Sequence, residues 1–187
     1  MNLEEIPGRV FLDTSALNFI LDFGEYIFDG SPKPDELNQR IRNDIDALYN
    51  IFLTGQRASW QLAISPFTYT EITNTKDIKR RESLNSWFMD VWYYWLDIVS
   101  GYNELPSLEE AECERDKLLS TDILDALPNY EDRILICDAL VYKCDCFCTR
   151  DWHTILKHRT YLSFLPLKIV TPNEWWKLIE PYSRIWA

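Results

Sequence analysis

Short apolar runs alternate with longer stretches of helical periodicity along this chain. Each run is brief and bounded by polar or turn residues, as in the buried strands of a parallel sheet. Strands are therefore predicted at 9–12, 60–64, 145–148 and 167–170. Between the first two, apolar residues from Ile41 to Phe52 recur at helical spacing and predict a helix over about 35–54.

Capping signals predict where other helices begin. Ser107 and Glu110 have the spacing of a capping box, and Thr171 before Pro172 suits an N-cap followed by the first helical residue. Asn129 has a similar place ahead of the segment that holds Asp132. Further helices are predicted at 16–23, around Glu71, at 76–99, from 108, from 129 to about 142, at 152–159 and after 171.

This alternation of strands and helices indicates an α/β fold. We expect one domain over residues 1–187, with three layers: a central parallel sheet of four to five strands and helices on both faces. In such sheets the ligand-binding residues lie just beyond the carboxyl ends of the strands. That edge is where functional side chains are expected.

Composition and cysteine usage both indicate a compact cytoplasmic protein with no membrane segment. Hydrophobic residues make up 47% of the chain, yet no apolar run approaches the roughly 20 residues that span a bilayer. The start of the chain carries Glu4 and Glu5, where a signal peptide would be basic and then apolar. Cys144, Cys146 and Cys148 alternate along one segment, and the five cysteines are expected to be reduced thiols packed as small hydrophobes.

The net charge of −11, with 19 basic and 30 acidic residues, narrows the choice of partners. It counts against nucleic-acid binding through a broad basic surface. It agrees with an enzyme whose acidic residues gather divalent cations, because a bound metal reverses the local charge. It also suits a protein that binds a basic partner.

Four acids occupy positions that a parallel sheet would bring together. Asp13 follows the first strand, Glu71 lies in the helix after the second, Asp151 follows the third, and Asp132 opens the helix that leads into the third. Converging carboxylates repel one another unless they are neutralised, and a hard cation such as Mg²⁺ takes oxygen ligands. Each acid also has a simpler explanation, as a helix cap, a first-turn residue or an ordinary surface side chain.

Five segments follow one another in a set order along the chain. The first is Val-Phe-Leu-Asp-Thr-Ser, an apolar strand that ends in Asp13. It is followed by an acid-bearing helix with Glu71, a helix led by Asp132, a Thr-x-Asp sequence that ends at Asp151, and a closing strand before a Pro-initiated helix. In this order the segments, at 10–15, 64–72, 132–140, 148–151 and 168–172, resemble the PIN-domain family.

The resemblance implies a Mg²⁺- or Mn²⁺-dependent endoribonuclease that hydrolyses RNA phosphodiester bonds. The implied metal ligands and catalytic residues are Asp13, Glu71, Asp132 and Asp151. Ser15 and Thr149 are implied as supporting residues that orient these acids. The family also implies the toxin of a toxin–antitoxin pair as a common role, with an antitoxin or other protein inhibitor as partner, and homodimerisation.

The helix over 129–142 offers two acids, Asp132 and Asp138, which stand about 240° apart on an α-helix and cannot share a face. Asp132 is preferred because it opens the helix. Its distance of 19 positions from Asp151 is also close to the spacing in the resembled family. Asp138 is the fallback.

Basic and aromatic residues after Glu71 suggest further contacts. Lys79 and Arg80 belong to a dense basic cluster at 76–81 that could steer an RNA backbone, with Arg150 as a nearer phosphate contact. A solvated helix start explains that cluster equally well. The aromatic run at 87–95 is interpreted mainly as core, with a partner surface or base stacking as the alternatives.

Two other functions compete with the nuclease. A non-catalytic PIN-like binding or scaffold module would keep the fold and use its acidic surface for a protein partner. An α/β phosphatase or phosphotransferase is ranked last, because it would need a second Asp two positions after Asp13 or a phosphate-binding glycine-rich loop. Ser15 occupies that position, and the sequence has no such loop.

Overall fold

The computed structural model describes residues 6–55, 58, 60–102 and 104–185. Its centre is a parallel sheet in which four strands lie in the order β2-β1-β3-β4. The strands are β1 (Arg9–Leu12), β2 (Gln61–Ala63), β3 (Cys146–Cys148) and β4 (Lys168–Val170). The predicted strands are confirmed, most of them shortened by a residue or two at their ends, and the fold is a three-layer α/β arrangement.

Helices fill the connections between the strands. They are α1 (Thr14–Asp22), α2 (Gly24–Phe28), α3 (Gln39–Gly55), α4 (Phe67–Thr73), α5 (Ile78–Gly101), α6 (Leu108–Leu119), α7 (Tyr130–Val141), α8 (Ile155–His158) and α9 (Pro172–Ile179). Short 3₁₀ turns lie at Asp122–Leu124, Arg159–Leu162 and Glu180–Ile185. The capping boxes predicted at Ser107 and Thr171 are both present.

Two helix predictions need correction. The helix expected from about 35 begins at Gln39, because Asn38 accepts a hydrogen bond from the amide of Ile41 (3.0 Å) and starts it there. The helix expected over 152–159 is wrong in its first part. Residues 152–154 form a turn, since the Asp151 carboxylate binds the amides of His153 (2.8 Å) and Thr154 (2.9 Å).

The core lies between the sheet and the helices on it. Helix α5 packs on β2, α1 and α4, whereas α9 packs on β3, β4 and α3, and α6 pairs with α7. Phe11 of β1 and Phe147 of β3 stack across the two central strands with ring centroids 5.2 Å apart. Four of the five cysteines are buried free thiols, as expected, and Cys113 is exposed.

The aromatic run on α5 divides between core and surface. Phe88 and Trp95 are buried, which confirms the core interpretation for them. Tyr93 and Tyr94 are exposed, although the Tyr94 hydroxyl donates a hydrogen bond to the Trp60 carbonyl (3.3 Å). Within the described ranges, no helix combines the length and apolar character that crossing a membrane requires.

The capping box of α9 provides a test of the fold. The Thr171 hydroxyl accepts from the Glu174 amide (3.2 Å), and Glu174 accepts from the Thr171 amide (2.9 Å). We expect Thr171→Ala to lower the free energy of unfolding by about 1 kcal/mol in urea titrations. The control Thr73→Ala, which removes an exposed hydroxyl from the end of α4, should change it by less than about 0.5 kcal/mol. Equal losses in both variants would contradict the capping role.

Candidate active site

The parallel pairing of β1 with β3 places two candidate segments side by side. Leu12 pairs with Cys148, so Asp13 and Thr149 follow at the same level of the sheet. The Asp13 amide donates to the Cys148 carbonyl (3.1 Å), which extends the pairing one residue past the strand. The carboxyl ends of the two central strands therefore meet at one edge, as the topology predicted.

Asp13 is buried at this edge and is held by two hydroxyls. Its carboxylate accepts from Thr149 Oγ1 (2.6 Å) and from Ser15 Oγ, and its side chain makes no capping hydrogen bond to α1. Burial raises the pKa of Asp13, while the hydrogen bonds from Ser15 and Thr149 oppose that shift. Asp13 stands at the N-cap position of α1, but capping does not explain why its carboxylate is buried against two hydroxyls.

The same hydroxyls connect Asp13 to the loop that carries Asp151. Ser15 Oγ lies 3.1 Å from Thr149 Oγ1 and accepts from the Arg150 amide (2.8 Å). Thr149 Oγ1 also accepts from the Asp151 amide (3.0 Å). Both predicted supporting residues thus lie in contact with the first acid and fix the loop of the fourth.

Asp151 has local partners for both carboxylate oxygens. The amides of His153 and Thr154 donate to Oδ1, and the Thr154 hydroxyl donates to Oδ2. Burial raises the pKa of Asp151, but these hydrogen bonds together outweigh it and leave the pKa below its ordinary value. The capping interpretation is therefore partly right, because this carboxylate holds the turn before α8.

Glu71 reaches the group from α4. The Thr14 hydroxyl, at the start of α1, donates to its carboxylate. Burial raises the pKa of Glu71 to about 7, and the negative charges of Asp13, Glu131 and Asp132 add to the rise. Glu71 therefore shares the electrostatic field of the other acids and is not an ordinary surface residue.

Asp132, in the first turn of α7, has an oxygen without a partner. The residue is 7% exposed, and its Oδ2 has no hydrogen-bond partner among the described residues. Burial raises its pKa to about 6, the Thr154 hydroxyl opposes that rise, and the charges of Asp151, Asp13 and Glu131 add to it. This combination leaves a buried acceptor oxygen in a negative field.

Asp138 lies elsewhere on α7 and has its own partners. Ser65, just past β2, donates to its carboxylate, and Arg115 Nη1 of α6 lies 3.7 Å from it. Burial raises the pKa of Asp138 to about 6, and the nearby charges are those of Arg115 and Glu112, with none of the four acids among them. The fallback acid therefore lies apart from the candidate site.

The link between Ser65 and Asp138 joins two helices of the site. Ser65 Oγ also accepts from the Phe67 amide (2.9 Å) and so fixes the start of α4, which carries Glu71. Asp138 lies on α7, which carries Asp132. This buried contact thus links the segment before α4 to α7 at a point away from the four acids.

The four acids interact through space, but they are not arranged as a finished ligand set. Among the described residues, no group of three or more His, Cys, Asp or Glu side chains is placed to hold a metal ion. The chemistry nevertheless fits a hard divalent cation: the donors are carboxylate oxygens, and one of them, Oδ2 of Asp132, is buried without a partner.

Searches of family models, curated proteins and solved structures gave no match to this chain. The resemblance to the PIN family therefore stays a prediction.

Two of the predicted RNA contacts already have acidic partners. Arg80 Nη2 lies 3.0 Å from Asp22 Oδ2, and the pair joins α5 to the end of α1. Arg150 Nε donates to Asp44 Oδ2 (2.9 Å). Of the three predicted contacts, Lys79, in the first turn of α5, is the exposed one.

Asp44 and Glu131 were not singled out from the sequence. Asp44 is 2% exposed on α3, and Arg150 lies beside it with its guanidinium 3.7 Å from the centre of the Phe19 ring. Glu131 is exposed in the first turn of α7, beside Asp132, and raises the pKa of Glu71 as well. The adjacency of Glu131 and Asp132 was a visible signal, whereas the distant pairing of Asp44 was not.

The raised pKa of Glu71 predicts how stability depends on pH. Between its ordinary value of 4.5 and about 7, the folded protein holds this proton more strongly than the unfolded chain does. Its contribution to stability is therefore present below pH 4.5 and is lost as the pH rises through about 7. In urea titrations without metal, Glu71→Gln should gain stability over wild type as the pH rises from about 5 to about 8. A difference that does not change with pH would contradict this environment for Glu71.

The two acids of α7 should differ in their effect on stability. Asp138→Ala leaves the Ser65 hydroxyl without its acceptor and removes the buried carboxylate beside Arg115. We therefore expect the free energy of unfolding without metal to fall by about 1–3 kcal/mol. Asp132→Ala removes an oxygen without a partner and relieves repulsion, so its loss should be smaller or absent. The reverse order would show that Asp132 has the structural role.

Proposed function

We propose that this chain is a divalent-metal-dependent ribonuclease whose metal site is formed by Asp13, Glu71, Asp132 and Asp151. The observation that supports this best is the buried Oδ2 of Asp132, which lies in the field of neighbouring carboxylates and has no hydrogen-bond partner in the described part of the chain. Removing a carboxylate from water without a partner is costly, and a cation would offset that cost. RNA as the substrate comes from the PIN resemblance alone.

The acids and the hydroxyls beside them would have different roles in such a site. Asp13, Glu71, Asp132 and Asp151 would hold Mg²⁺ or Mn²⁺, directly or through water. The ion, when bound, lowers the pKa of a bound water and stabilises charge on the phosphate. The hydroxyls of Ser15 and Thr149 orient Asp13, since both donate to its carboxylate.

Protons and cations would compete for the same oxygens. Glu71 and Asp132, with pKa values near 7 and near 6, bind protons close to neutral pH in the metal-free protein. Cation binding would displace those protons, so affinity should weaken as the pH falls below about 7. Lys79, which is exposed in the first turn of α5, would be a contact for a substrate phosphate.

The alternative is a protein-binding module without catalysis. The absence of a finished ligand set among the described residues favours it, as does the net charge of −11. A protein inhibitor such as an antitoxin, or a second copy of the chain, would be the partner implied by the family resemblance. The two functions differ in whether the protein binds a divalent cation at these acids.

Calorimetric titration with Mn²⁺ tests the metal site. We expect wild type to bind, and Asp13→Asn and Asp132→Asn to bind at least about tenfold more weakly. Asp125→Asn, which removes an exposed carboxylate paired with Arg133 (2.9 Å), is the matched control and should bind like wild type. Mn²⁺-dependent cleavage of an unstructured RNA should be lost in the same two variants.

Several outcomes would contradict the proposal. If wild type binds no divalent ion at millimolar concentration, the metal-dependent nuclease fails and the protein-binding module becomes the better account. If Asp138→Ala abolishes binding at a temperature where it stays folded, the ligand set is wrong. Equal affinity in Asp132→Asn and wild type would remove the observation on which the site depends.

A further inference from the structure

An exposed tryptophan stands directly beside the fourth acid. Trp152 follows Asp151 in the turn before α8 and is 39% exposed, whereas Trp95 and Trp175 are fully buried in the core. A large aromatic ring held partly in water keeps apolar surface exposed, and exposed aromatics beside a functional site commonly serve recognition. Core packing therefore does not explain this ring.

A cation lies on the same ring. The guanidinium of Arg40, in the first turn of α3, is 4.2 Å from the centre of the Trp152 ring. Arg40 is exposed and forms no ion pair within the described ranges. Burial raises the pKa of Asp44, and the charge of Arg40 is among those that oppose the rise, which places Arg40 near the Asp44–Arg150 pair. The ring and the cation thus form one surface feature next to the loop of Thr149 and Asp151.

We infer that Trp152 and Arg40 form a subsite that stacks a base of single-stranded RNA beside the carboxylates. The inference rests on the proposed function for its substrate class. Single-stranded RNA exposes unpaired bases that can stack on aromatic rings and guanidinium planes, whereas bases in a duplex stay stacked on one another. Arg40 supplies a positive charge as well, where the strand brings phosphates close to the ring.

The overall charge explains why such a subsite is needed. With a net charge of −11, the chain has little long-range attraction for phosphate, so affinity has to come from local contacts. Stacking on an aromatic ring is tolerant of sequence and depends less on net charge than phosphate contacts do. The pair therefore supplies the local contact that the acidic composition otherwise lacks.

The test uses a short single-stranded RNA that contains 2-aminopurine, titrated into the full chain carrying Asp132→Asn to prevent cleavage. We expect quenching of the 2-aminopurine on binding, and affinity on the order of tenfold weaker when Trp152→Ala is added. Trp152→Phe should restore most of the affinity. Arg40→Ala should weaken RNA binding when Trp152 is intact. In the protein that already carries Trp152→Ala, it should cause little further loss of affinity, because the two side chains act as one unit.

Matched controls separate this effect from general changes to the surface. Tyr93→Ala removes a similarly exposed aromatic from α5, and Lys117→Ala removes an exposed cation from α6. Both should leave affinity unchanged. Trp152→Ala in the wild-type background should raise KM for cleavage while Mn²⁺ affinity stays the same, a split that a merely destabilising substitution would not give.

Failure of the subsite and failure of the proposed nuclease would give different results. Unchanged affinity in Trp152→Ala, together with Mn²⁺-dependent cleavage by wild type, overturns the subsite and leaves the nuclease standing. Equal weakening of single-stranded and duplex RNA overturns the stacking role. If the Asp132→Asn chain with Trp152 intact binds no oligonucleotide, the subsite is overturned whether or not Mn²⁺ binds. Trp152 would then be expected to contact a protein partner.

Discussion

The burial of the Asp13 carboxylate between the ends of β1 and β3 is the constraint on which the candidate site depends. Burial alone would favour the protonated acid, and the hydroxyls of Ser15 and Thr149 offset part of that cost by donating to the carboxylate. Those hydroxyls bind amides of the following loop at the same time. Satisfying one buried acid therefore also fixes the position of Asp151.

Much of this arrangement could be predicted because it follows from short-range pattern and topology. Apolar runs of a few residues give strands, and capping residues such as Ser107 and Thr171 mark helix starts within one residue. Once the sheet is parallel, residues that follow β1 and β3 must lie at the same edge. The approach of Asp13 to the loop of Asp151 is thus a consequence of strand order and needs no knowledge of side-chain packing.

What could not be predicted depends on contacts between distant parts of the chain. Arg150 resembled a phosphate contact in the sequence, yet it binds Asp44, which stands 106 positions earlier. Asp138 resembled a second candidate acid, yet it binds Ser65, 73 positions earlier. The turn at 152–154 replaced a predicted helix because one carboxylate captured two amides, a local competition that helical periodicity does not register.

The four acids are not equivalent, and the difference says where a cation would act. Asp13 and Asp151, at the sheet edge, have internal donors, whereas one buried oxygen of Asp132 has no donor among the residues that the structure describes. Among the described residues Glu71 has one hydroxyl donor, and burial raises its pKa to about 7. The two carboxyls whose pKa values burial raises to near 7 and near 6 therefore lie on α4 and α7. In the proposed site a cation would therefore be held chiefly by Glu71 of α4 and Asp132 of α7, and Asp13 and Asp151 would complete the ligand set from the edge of the sheet.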